Sequence, residues 1–180
     1  MMKYFESYLK NLKNKISDLD IKSLEKLGSK INSVKKNDKK ILIFGNGGSC
    51  SIASHVAVDF AKNLNIKSTA YTDQALLTCF SNDYKFENYI KKIIETYASK
   101  GDLIILISSS GKSKNMINAL KYAKLKKLFV ATFTGFSKKN YLNKNGNIKF
   151  WIESKNYNII ENTHQIWLLT LCDYLSKKKY

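Results

Sequence analysis

The stretch DLIILISSSGKSKN, residues 102–115, decides the fold. Its unbroken apolar run at 103–107 reads as a strand covered on both faces, as in a parallel sheet flanked by helices. The run ends in Ser108, Ser109 and Ser110, then a glycine and Ser113, and the residues from 112 to 125 follow with helical spacing. A buried strand that stops in small hydroxyl residues leaves N–H groups of the next helix unpaired and aimed at one point, which is how proteins hold a phosphate. Working outward, FGNGGSCSIASH at 44–55 repeats the design after the run KILIFG, with Gly45, Gly47 and Gly48 permitting turns that a β-carbon would obstruct. Neither junction carries G-x-x-x-x-G-K-[ST], and FGNGGSC departs from the G-x-G-x-x-G dinucleotide pattern, so nucleoside triphosphate and dinucleotide sites are not expected.

Elsewhere short apolar runs at 66–72, 127–135 and 148–152 alternate with helical spacing at 49–64, 85–98 and 159–175, while 138–147 reads as a polar loop. This is the α/β class with three layers. Residues 1–37 are lysine-rich but periodic, with Tyr4, Phe5, Leu9, Leu12 and Ile16, then Ile21, Leu24, Leu27, Ile31 and Val34, at three- and four-residue steps. They form two amphipathic helices broken near 18–20, too polar to build a core alone, so they must lie on the rest of the chain or on another copy.

The 180 residues, 44% of them hydrophobic, suit one domain over 1–180, with the helical pair at 1–37 and the core at 38–180. The net charge of +17 invites a nucleic-acid reading. However, the 31 basic residues are all lysine, proline is absent as well, and 41–61 and 159–175 contain no lysine. That is the signature of a coding bias rather than of a recognition surface, and no nucleic-acid partner is expected. Cys50, Cys79 and Cys172 lie far apart, without a C-x-x-C pair, and read as small core residues. The start lacks the apolar segment of a secretory signal and no apolar run reaches a membrane span, so a reducing cytoplasm is the expected location.

The chain has two histidines. His55 stands four residues before Asp59, and His164 three residues after Glu161, so each pair shares a helical face. The pairs could meet as four ligands of a divalent metal such as zinc; equally, each imidazole could simply pack beside its carboxylate. Asn82–Asp83, ahead of an expected helix, reads as an N-cap.

GNGGS at 45–49, His55, Asp59, SNDY at 81–84 and S-x-S-G-x-S at 108–113 resemble, in order and spacing, the phosphoheptose isomerases of the SIS (sugar isomerase) domains, over about residues 1–175. The resemblance implies a five-stranded parallel sheet in a three-layer αβα fold and a homotetramer with sites between subunits. It also implies isomerisation of sedoheptulose 7-phosphate for lipopolysaccharide or capsule synthesis. By the same likeness Ser108, Ser109, Ser110 and Ser113 cradle the phosphate, Asn46, Gly47, Gly48, Ser49 and Asp83 meet the sugar, and His55 binds zinc with Asp59 as a ligand or base. The chain carries Asp59, Asn63, Glu161 and Leu169 where the family has glutamate, arginine, glutamine and histidine. Asp59 or Glu161 is therefore expected to move the proton, with His55 and His164 holding zinc or polarising oxygens. A non-catalytic SIS protein, or an isomerase of another sugar phosphate, stays open.

Overall fold

A computed structural model describes residues 2–177. Five strands, β1 (Lys40–Gly45), β2 (Lys67–Thr69), β3 (Leu103–Ser108), β4 (Phe129–Thr134) and β5 (Ile148–Trp151), form a single parallel sheet in the order β2-β1-β3-β4-β5. The helices are α1 (Met2–Ser17), α2 (Ile21–Lys36), α3 (Gly48–Leu64), α4 (Gln74–Tyr84), α5 (Tyr89–Tyr97), α6 (Lys114–Leu125), α7 (Tyr141–Asn145) and α8 (Tyr157–Leu175). Among the described residues no helix is long and apolar enough to cross a membrane.

The continuous apolar runs behave as expected, because alternate residues feed opposite layers. Ile41, Ile43, Leu103, Ile105, Ile107 and Phe133 join α2, α3 and α8 in one core, while Leu42, Phe44, Ile104, Leu106 and Val130 join α5 and α6 in the other. From β1 the chain goes outward to β2 and then back across to β3. The neighbours β1 and β3, with Gly45 paired to Ile107, are therefore where the strand order reverses. Ligands in open parallel sheets bind outside the carboxyl ends of strands at such a reversal. The two small-residue loops end up side by side there.

Four expectations need correction. The helix expected over 85–98 forms as α5, starting at Tyr89, and is preceded by a helix that was not expected, α4, with Lys85 at its C-cap. Asp83 therefore lies in the last turn of α4 and caps nothing at a helix start, and Asp73 is the N-cap, accepting from the Leu76 N–H at 2.9 Å. Within 138–147 the chain makes the short α7, because Asn140 accepts the Asn143 N–H at 2.8 Å and Leu142 is buried. Of the cysteines Cys172 is buried, Cys50 half-buried and Cys79 exposed, so the core reading holds for the first alone.

Candidate functional site

Helix starts show where an anion can be held. Asp20, Asp73, Asn140 and Asn156 cap α2, α4, α7 and α8 with side-chain oxygens. The helices α3 and α6, which open on the two loops, have no side-chain cap, and neither does α5. The starts of α3 and α6, which follow β1 and β3, carry the positive end of the helix dipole at the carboxyl ends of these neighbouring strands. In the first loop Gly47 takes φ 54, ψ −127, a conformation that L side chains rarely adopt.

The serine loop is partly closed on itself. Gly111 N–H bonds Ser108 O at 3.0 Å, Lys112 N–H bonds Ser110 Oγ at 3.3 Å, and Gly135 N–H holds Ser109 O at 2.8 Å. Ser108 and Ser109 are buried, as is Ser49, whereas Ser110 and Ser113 are half-exposed. The accessible hydroxyls at the start of α6 are thus those of Ser110 and Ser113. A cavity of about 550 Å³ opens beside Ser113, lined by Asn46, Ser113 and Asn115 together with Lys85, Phe86, Glu87 and Lys114. Asp83 is exposed, accepts from its neighbour Asn82 at 2.9 Å, and is not among the residues lining this cavity.

Glu161, on α8, reaches the same gap. Its carboxylate rests against Gly48, so closely that a Cβ there would overlap it, and its Oε1 accepts from Ser109 Oγ at 3.3 Å. Farther along the α3–α8 contact, His55 Nε2 lies 3.7 Å from Asp59 Oδ2, and His55 Nδ1 lies 3.2 Å from Gln165 Nε2. Gln165 follows Glu161 by one helical turn, which is why both face α3. The sequence reading passed it over although that spacing was visible.

His164 does not join them. It is 0% exposed, with its ring against Phe133 and Trp167 and Nε2 3.3 Å from the Thr134 carbonyl. Burial pushes its pKa from 6.5 down to about 3, against a small opposing effect of the Thr134 carbonyl. The expected four-ligand set of His55, Asp59, Glu161 and His164 therefore does not assemble. Among the described residues no group of three or more His, Cys, Asp or Glu side chains is arranged to hold a metal ion. His55 and Asp59 offer two donors where a zinc site takes at least three protein ligands. Leu169 is half-buried on the side packed against the α2–α3 core, and Asn63 points its amide to Cys172 Sγ at 3.9 Å.

The SIS domain family model matches residues 3–135. A phosphoheptose isomerase of Thermodesulfovibrio yellowstonii is 34% identical over 140 residues, which span 74% of this chain and 69% of that protein. Another, of Campylobacter concisus, is 31% identical over 156 residues, 83% of this chain and 82% of its own. The structure of a phosphoheptose isomerase from Francisella tularensis superimposes with a TM-score of 0.87 at 27% identity, covering 98% of this chain and 96% of that one.

Proposed function

The chain belongs to the phosphoheptose isomerases of the SIS-domain family, and from that premise we propose that it interconverts sedoheptulose 7-phosphate and D-glycero-D-manno-heptose 7-phosphate through an enediol. The observation that carries the mechanism is the Glu161 carboxylate held between the two loops by Ser109 and Gly48. An aldose–ketose exchange removes a proton from carbon 1 of the ketose and returns it to carbon 2. A carboxylate within reach of both carbons suffices as base when the developing oxyanion is stabilised. Glu161 takes that role rather than Asp59, whose neighbour is His55. The half-exposed hydroxyls of Ser110 and Ser113 and the uncapped start of α6 hold the phosphate, and Asn46 meets a sugar oxygen. His55, steadied by Gln165 and Asp59, is positioned to exchange protons with sugar oxygens. Zinc, when bound, would be held by His55 and Asp59 with a further ligand from outside this pair, and would polarise the sugar oxygens.

We further propose a homotetramer in which α1 contributes to the contacts, and heptose synthesis for lipopolysaccharide or capsule in the cytoplasm as the setting. A second reading, binding of a sugar phosphate without turnover, is favoured by the burial of His164 and by leucine at position 169. The deciding experiment is an isomerisation assay on sedoheptulose 7-phosphate, with and without added zinc, alongside metal analysis and the variant Glu161→Gln. The isomerase reading expects aldose formation, reduced about a hundredfold or more in the variant, the range lost with a general base. Sugar phosphate binding with no aldose under either condition leaves binding alone.

A further inference from the structure

Asn46 is held by a network that the reaction above does not use. Its Oδ1 accepts from Asn115 Nδ2 at 2.9 Å and from the Tyr89 hydroxyl at 3.4 Å, and its Nδ2 donates to Asn115 Oδ1 at 3.1 Å. Asn115 itself is 1% exposed, and its Oδ1 also accepts the Met116 N–H at 3.0 Å. A backbone N–H can only donate, so it dictates which end of the Asn115 amide is oxygen. Asn115 Nδ2 then dictates which end of Asn46 is oxygen, and the Tyr89 hydroxyl agrees with that choice. One Nδ2 hydrogen of Asn46 is occupied by Asn115. The other has no partner among the described residues, and Asn46 lines the cavity shared with Ser113.

We propose that Asn115, backed by Tyr89, is a positioning residue that locks the Asn46 carboxamide with its N–H toward the cavity, making this position a selective donor to a sugar oxygen. The inference rests on the phosphosugar reading. Without the lock a free carboxamide offers either end, and a donor-specific contact is weakened.

A double-mutant cycle with calorimetric Kd values for sedoheptulose 7-phosphate and for inorganic phosphate tests the proposal. Asn115→Asp keeps the shape and the acceptor for Met116 but sets a second acceptor against Asn46 Oδ1, so the carboxamide must turn or move. The expected result is sugar phosphate binding weaker by about tenfold, the loss of one oriented buried hydrogen bond, with inorganic phosphate affinity reduced by less, through the charge the new carboxylate adds to the wall shared with Ser113. In an Asn46→Ala background the same substitution is expected to add only that charge effect. Should Asn115→Asp not fold, Tyr89→Phe takes its place in the cycle, with a loss of about threefold expected from the longer bond. Additive effects, unchanged sugar affinity, or equal losses for sugar phosphate and phosphate overturn the proposal. A wild type that binds the sugar without converting it refutes the isomerase reading alone and leaves the cycle decisive. One that binds no sugar phosphate refutes both.

Discussion

At the scale of residues, His164 shows how far spacing alone can mislead. Glu161 and His164, three positions apart on a helix, differ by about 60° in direction. On a helix packed on several sides that is enough to send one to the gap between loops and the other under the sheet. The Thr134 carbonyl can only accept, so neutral His164 carries its proton on Nε2, and Nδ1 is buried without a hydrogen-bond partner in the chain's described residues. Its pKa is 6.5 when solvated and about 3 in the fold, so below pH 6.5 the unfolded chain gains a proton that the folded one refuses. Stability then falls by about 1.4 kcal/mol for each pH unit between 6.5 and about 3. His164→Phe removes this dependence, and Thr134 O keeps the Ile152 N–H at 2.9 Å. Thermal melts of the two proteins are expected to agree near about pH 7 and to diverge toward about pH 4, the wild type losing more; parallel curves contradict the burial argument. By contrast the His55–Asp59 pair was legible, because four positions bring two side chains onto one stripe whatever packs nearby.

At the scale of elements, the strands were the most readable feature and the helices between β2 and β3 the least. A strand buried on both faces needs an apolar residue at every position, and that leaves an unmistakable run. Helix α4 has no buried residue, and Leu76, Leu77 and Phe80 only half-cover themselves against the core, so its apolar stripe is faint. The junction of β1 with α3 carries a sharper constraint. A Cβ on Gly45 would overlap the Ser49 carbonyl and press on the Cys50 N–H, backbone atoms of the first turn of α3 that cannot swing aside as a side chain can. Gly45→Ala is expected to destabilise the fold by about 1–3 kcal/mol in urea titrations, the cost of overpacking a tight site. Because α3 must shift, it should also weaken sugar phosphate binding. A variant as stable as wild type would mean that the turn is looser than the contacts require.

At the scale of the whole molecule, α1 is the element that the single chain does not explain. None of its residues is buried, and Tyr4, Phe5 and Leu9 are 68%, 57% and 62% exposed, while the Trp167 indole anchors its far end through Ile16 O at 2.8 Å. An exposed apolar stripe of this kind fits burial against another copy, even against the self-repulsion of a chain of net charge +17. Phe5→Asp with Leu9→Asp is expected to lower the mass measured by light scattering, leaving far-ultraviolet circular dichroism nearly unchanged; an unaltered mass removes α1 from the contact. The amino-acid sequence by itself determined the α/β class, the layered core and the two small-residue junctions, because continuous apolar runs and glycine or serine clusters are local signals. Only the tertiary structure decided that β1 and β3 lie side by side, that Glu161 reaches their loops while His164 is sealed beneath Thr134, and that Asn46 is oriented from Asn115. Those pairings join residues far apart along the chain, and packing of α8 and α6 against the sheet, not spacing within either helix, sets which side chains meet.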